Sequence, residues 1–177
     1  MEFLLFLLQT WEKALIAIAL LIFVFYVILI YFAISSCYKF QKLLKSYETS
    51  MKMSIIETIT LIRQLAEIID FKFDEETKDK IDQIESFAGQ DIVKGHYKEV
   101  YLIYIELVKH AELTIQDKNI LEKIENNKLL HKEIDNLYQK ALFYHGQDLG
   151  AYNYWVKFIL TRPFTKALKF NKKESVY

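Results

Sequence analysis

The side chains best equipped for chemistry in this sequence are four histidines, one cysteine and a run of carboxylates. Glu106 and His110 stand one helical turn apart. Carboxylate-bridged di-iron bundles use Glu-x-x-His, with three-residue spacing, on two helices. Here the spacing is four and a second such pair is missing, so no metal is expected. The remaining histidines, His96, His131 and His145, form no comparable motif. The acidic run DEETKDKIDQIE at 74–85 lacks the central glycine and alternating oxygen ligands of a calcium loop. Glu76 precedes Lys80 by four, the spacing of a solvated, ion-paired helix face. No glycine-rich phosphate loop, H-E-x-x-H, C-x-x-C or Gly-x-Ser-x-Gly occurs. The expectation is a protein with no catalytic residues, no cofactor and no small-molecule substrate. The single cysteine, Cys37, excludes an internal disulfide and a Cys-based zinc cluster.

A second chemistry lies near the C-terminus. The segment AYNYWVKFILTRPFTKALKF interleaves aromatics with cations. Trp155, Lys157, Phe158, Arg162, Phe164, Lys166 and Lys169 are the candidate contact residues. Bases stack on aromatics while phosphates meet cations in single-stranded nucleic-acid sites. The same composition suits a membrane surface, with aromatics at headgroup depth and cations on anionic lipid. A third reading is an aromatic helix completing the core with snorkelling lysines. The membrane surface is favoured over nucleic acid, because the chain carries its own anchor on the same side.

That anchor is the stretch Ala14–Ile34, uncharged and apolar throughout. A helix of that length spans roughly 30 Å, the hydrocarbon thickness of a bilayer. Trp11 precedes it and Tyr31 and Tyr38 mark its far end, where interfacial aromatics are expected. Lys13 is offset by Glu2 and Glu12, whereas Lys39, Lys42, Lys45 and Lys52 follow the span. The positive-inside rule therefore places the N-terminus outside and the large domain inside. The run FLLFLL at 3–8 is too short to cross and extends the helix or lies at the outer interface. A cleaved signal would need a basic n-region and a shorter apolar run. One alternative persists: Ile34-Ser35-Ser36-Cys37 resembles a bacterial lipobox, which would make Cys37 a lipidation site.

The elements that must position these residues are helices. One proline and four glycines in 177 residues leave too few turns for a sheet protein. The first soluble helix continues the span over 38–70. Met51, Ile55, Thr58, Ile62, Leu65 and Ile69 recur at steps of four and three, widened by Ile56, Ile59 and Ala66. Such a seam must pack within the chain or self-associate or meet a protein partner. Asp74 reads as an N-cap with Glu75 and Glu76 in the first turn, and the helix it opens ends near Gly89. Gly95 marks the next start, and a third helix runs from His96 to Leu113. The last begins near Asp117, with Leu130, Ile134, Leu137, Ala141 and Tyr144 as its seam. Gly146 and Gly150 are candidates to bend or end it, and Pro163 to stop whatever helix precedes it. The fold class is all-α: a single N-terminal transmembrane helix followed by an antiparallel bundle of three to four long helices. The organisation is an external N-terminus at 1–13, a span at 14–34, a bundle domain at 35–160 and a basic tail at 161–177. Net charge is zero overall, but residues 71–150 carry −5 and residues 151–177 carry +5.

This layout resembles the LemA family, which has a short external N-terminus, one membrane helix and a cytoplasmic helical bundle. Asn119-Ile120-Leu121-Glu122 looks like the Asn-Phe-Leu-Glu that opens the family's last long helix, and Ile134 falls on a family isoleucine. Tyr138-Gln139-Lys140-Ala141-Leu142 is similar to its Tyr-Asn-x-Ala-Val, and Arg162-Pro163-Phe164 to an Arg-Pro-Phe near many family C-termini. Ser54-Ile55-Ile56 and Ile59 match part of its Asp-Leu-Ile-Pro-Asn-Leu stretch, although Glu57 and Thr58 stand where proline and asparagine are usual. The family's basic Leu-Lys-Arg-Arg run is absent. The resemblance implies a non-enzymatic interaction or scaffold protein of the bacterial inner membrane, with no catalytic residues. The competing class is a membrane-acting phage, stress or toxin-type factor.

Overall fold

The computed structural model describes residues 2–88, 95–158 and 160–173, and side chains outside 2–10, 87 and 88. Among the described residues five helices follow one another: α1 (Glu2–Ile68), α2 (Glu75–Ala88), α3 (His96–Thr114), α4 (Lys118–Lys157) and α5 (Arg162–Ala167). No strand occurs among the described residues, so the class is all-α. The run at 3–8 extends α1 rather than forming a separate element. Gly89 and residues 174–177 lie outside the described residues. The described chain divides into two compact units: Lys42–Leu149, and residues 2–41 with Gly150–Lys173.

Within Lys42–Leu149 the helix boundaries follow local chemistry. After α1 the chain reverses through Asp70 at φ 51°, where the Phe71 N–H donates to the Ala66 carbonyl at 2.8 Å. That is a Schellman closure with aspartate in the left-handed position usually given to glycine. Asp74 caps α2, its carboxylate accepting from the Thr77 N–H at 3.3 Å, as the sequence predicts. Gly95 opens α3 at φ 98°, a backbone angle that residues with a Cβ rarely adopt. Asp117 accepts from the Asn119 N–H at 2.8 Å at the start of α4.

The expected seam of α1 is the floor of the core. Met51, Ile55, Thr58, Ile59, Ile62, Leu65 and Ala66 are all buried, joined by Ile81 and Ile84 of α2 and by Tyr97, Val100, Tyr104, Leu107, Val108 and Ala111 of α3. The seam at 51–69 is thus covered within the chain. α4 packs antiparallel to α3 and to this part of α1. Tyr97 stacks on Tyr138 at 3.6 Å while Lys128 pairs with Glu112, and Tyr47 donates to Asp148 at 3.1 Å while Asn127 reaches Leu61.

The expected seam of α4 holds at Ala141, which is buried, and at Ile134, which packs against the core, but not at its other three positions. Leu130, Leu137 and Tyr144 are exposed at 52%, 57% and 48%, while Asn127, His131 and His145 are buried beside Ile124 and Ala141. The cause at Asn127 is polar satisfaction. Asn127 Oδ1 accepts from the Tyr104 hydroxyl at 2.9 Å, and its Nδ2 donates to the Leu61 carbonyl at 3.2 Å. His131 lies flat on Tyr104 at 3.9 Å, and His145 Nε2 sits 3.6 Å from a Glu48 carboxylate oxygen. Buried polar groups persist where partners are supplied, as they are at Asn127; His131 Nε2 is buried without a hydrogen-bond partner among the described residues, its ring packed on Tyr104 instead.

The glycine expectation also fails. α4 runs unbroken through Gly146 and Gly150, because buried Ala141, His145, Leu149, Tyr152 and Val156 hold the flanking turns in place. The intrinsic cost of a helical glycine, about 1 kcal/mol, is smaller than the burial it would forfeit.

Two outcomes follow from the polar seam. Asn127→Ala strands the Tyr104 hydroxyl and should destabilise the protein by about 1–3 kcal/mol, read from urea unfolding in detergent micelles. Burial lowers the His131 pKa, with Asp135 opposing the shift. Between that depressed value and the unfolded value of about 6.5, the unfolded chain binds more protons, so stability falls as pH drops through this window. Replacing His131 with Phe keeps the stack on Tyr104 and should flatten the loss of melting temperature between pH 7 and pH 5; an unchanged slope would exclude this histidine as its source.

Candidate functional site

The unit formed by residues 2–41 and Gly150–Lys173 gathers every residue of the aromatic–cationic segment. Its α1 portion is bare at first: each described side chain from Trp11 to Phe25 is exposed. Among the described residues one helix is long and apolar enough to cross a membrane, and none of its most apolar stretch is buried. Cover begins at Tyr26. Its hydroxyl donates to the Leu160 carbonyl at 2.8 Å, and its ring meets Phe164 edge-on at 6.2 Å. Ala33 and Cys37, one turn apart, are fully buried, and Tyr38 meets Phe170 edge-on at 4.8 Å.

Local sequence explains the shape of the cover. α4 ends at Lys157, and the Thr161 and Arg162 N–H groups both close onto the Phe158 carbonyl, at 3.0 and 2.8 Å. Pro163 does not stop the preceding helix, as the sequence had led us to expect. It occupies the first turn of α5, where its missing N–H costs nothing. Thr165, buried, hydrogen-bonds the Val156 carbonyl at 3.2 Å and the Arg162 carbonyl at 3.1 Å, clasping α5 onto the end of α4. A second Schellman closure ends α5: Phe170 N–H donates to the Thr165 carbonyl at 2.9 Å with Lys169 at φ 60°. The returning strand of chain is then fastened to α4 by paired bonds between Asn153 and the Lys173 backbone, at 2.9 and 3.0 Å. The result is a hairpin whose turn lies level with Tyr26 and whose return reaches Tyr38.

This arrangement sorts the seven candidate residues. Lys157, Arg162 and Lys166 line one cavity of about 540 Å³, and Lys172 joins them there. Trp155 and Phe158 form a cluster with Tyr154, ring centres 5.4 to 5.9 Å apart. Phe164 lies on Tyr26, and Lys169 stands exposed in the left-handed turn away from the cavity. Leu160 and Leu168 are exposed beside them. Lys172, Leu160 and Tyr26 are contact residues that the sequence did not single out. Tyr26 carries the first side-chain hydroxyl of the apolar run after Trp11, a signal that was present. The buried residues are Tyr152, Val156, Thr161, Thr165 and Phe170, so among the aromatics Tyr152 and Phe170 enter the core while Tyr154 and Phe164 do not.

Outside this unit the chain offers little for chemistry. No cluster of three His, Cys, Asp or Glu side chains suited to a metal occurs among the described residues. Glu106 and His110 lie in a cleft with Phe71, Phe73 and Asp74, where His110 packs on Phe71 at 4.9 Å. No family model, curated protein or solved structure matches the chain.

Cys37 takes a definite position. It sits within α1, buried, and burial pushes its thiol up to about 11. Burial likewise raises the Tyr152 phenol, with a further rise from the charge of a neighbouring Cys37 thiolate. Thiolate is the nucleophile, so Cys37 should react with maleimide at pH 7.5 more than about a hundredfold slower in the folded protein than in denaturant. A rate within a few-fold of the denatured one would show the thiol to be accessible.

Proposed function

We propose that this chain is a single-pass protein of a bacterial inner membrane, N-terminus out and C-terminus in. It acts as a non-enzymatic interaction or scaffold module in the manner of the LemA family, with its C-terminal hairpin resting on the inner membrane surface. The observation that carries the reading is the abrupt change along α1. A stretch exposed on every side gives way at Tyr26 to a hairpin that is itself apolar and cationic outward. A bare apolar helix requires lipid or another cover, since an exposed apolar surface of that extent is unfavourable in water.

The geometry adds a depth. Tyr26 precedes Ile34 by eight residues, about 12 Å of helix, so a hairpin turn resting at the inner surface makes the stretch of α1 up to Phe25, rather than the whole of 14–34, the lipid-covered part. Interfacial elements seat their apolar faces about 5–10 Å into the headgroup–acyl boundary. Phe158, Leu160, Phe164 and Leu168 supply such a face, and Lys157, Arg162, Lys166 and Lys169 meet the headgroups. The aromatic–cationic composition is therefore read as lipid contact, with nucleic acid set aside. The buried seam of α1 no longer serves as the surface for a protein partner or self-association. The exposed Leu130, Leu137 and Tyr144 on α4 stand closer to that role.

The test is made in a chain with Cys37→Ala, Trp11→Phe, Trp155→Phe and Phe164→Trp, reconstituted in bilayers containing lipids brominated near the headgroup end of the acyl chain. The new tryptophan should be quenched strongly and shielded from aqueous acrylamide. Full acrylamide quenching with no bromine effect would remove the hairpin from the membrane. In intact cells, a cysteine replacing the exposed Leu113 should resist a membrane-impermeant maleimide until the cells are opened. Labelling before opening would reverse the orientation.

A further inference from the structure

The hairpin carries a feature that general adhesion to a surface does not require. Lys157 from the end of α4, Arg162 and Lys166 from α5, and Lys172 from the returning chain come from three successive segments, yet they line one cavity. Val156, Thr165 and Phe170, all buried, and the exposed Asn171 complete its wall. Residues 150–173 contain six cations and not one carboxylate. Among the described residues none of these four cations is ion-paired, while Arg63, Lys80 and Lys128 elsewhere each hold a carboxylate at 3.1 Å or less. Four like charges around one concavity repel one another, and the arrangement is relieved by a ligand of opposite sign.

α5 also separates two chemistries. Arg162, Thr165 and Lys166 turn to the cavity, whereas Phe164 and Leu168, four residues apart, lie exposed off it. A ligand with an anionic head and an apolar body would satisfy both faces. We infer that this cavity is a discrete binding site for the headgroup of an anionic phospholipid bearing two phosphates, held by Lys157, Arg162, Lys166 and Lys172. The inference rests on the membrane-surface reading proposed above. Two phosphates match four cations better than one, and arginine grips a phosphate through two parallel bonds. Lipid is favoured over a soluble diphosphate because the neighbouring exposed side chains are apolar.

The full chain in neutral detergent is examined by native mass spectrometry with phosphatidylcholine, phosphatidylglycerol and diphosphatidylglycerol. Diphosphatidylglycerol should give a one-to-one adduct that survives collisional activation sufficient to strip phosphatidylcholine. Lys157→Gln and Arg162→Gln should each weaken that adduct about fivefold, and Arg162→Lys should restore only part of it. Lys169→Gln and Lys39→Gln, outside the cavity, should change it less than twofold. All these side chains are exposed, and helicity by circular dichroism checks that each variant folds. Equal losses at all four positions would overturn the discrete site and leave a diffuse basic surface, with bromine quenching at position 164 still intact. Inorganic pyrophosphate competing as well as the lipid at equal concentration would overturn the lipid assignment in favour of a soluble ligand. Loss of the quenching itself would bring down the membrane reading on which the site rests.

Discussion

Asn127 joins three helices at one point. One side chain accepts from Tyr104 of α3, donates to the Leu61 carbonyl of α1 and springs from α4. Because both bonds are buried, the side chain has no substitute in water, and the rotation of α4 is set by it rather than by the distribution of leucines. The stacking of His131 on Tyr104 and the approach of His145 to Glu48 repeat the same choice further along the helix. The consequence is a mixed face, with imidazoles inside beside Ile134 and Ala141 and with Leu130, Leu137 and Tyr144 outside.

This explains which parts of the fold were legible in the residues alone. The α1 seam was readable because Met51, Ile55, Ile62 and Leu65 are apolar and have nowhere else to go. The Asp74 cap was readable because a short carboxylate before a first turn has one favourable use there. α4 was misread at Leu130, Leu137 and Tyr144, though not at Ile134 and Ala141, because hydrophobic periodicity assumes that apolar residues win every buried place. Here the Tyr104 hydroxyl and the Leu61 carbonyl reward an amide, the Tyr104 ring takes the His131 imidazole, and the Glu48 carboxylate faces His145. The two glycines of α4 were over-read for a related reason, since local propensity is a small quantity beside tertiary burial.

The candidate site was half legible. Its composition was plain in the alternation of aromatics with cations. Its form was not, because the residues that make the hairpin are ordinary ones: Thr161 and Thr165 close turns, Asn153 fastens the return, and Lys169 accepts a left-handed angle more often given to glycine. No short-range pattern announces that such residues will bring Lys172 back beside Lys157. Pro163 illustrates the ambiguity well, since the same ring that cannot continue one helix is well suited to begin the next.

The bond from the Tyr26 hydroxyl to the Leu160 carbonyl has a further bearing on the choice of membrane. A chain reversal leaves carbonyls without helical partners, and hydrocarbon offers none in exchange. Tyr26 satisfies one of them at the depth where the turn sits. A thicker bilayer would draw that turn further into the acyl region, and a thinner one would leave it in the hydrated headgroups. Under the proposed placement, the protein is thereby matched to a particular hydrophobic thickness. Its residence among membranes would be sorted by the reversal as much as by the span.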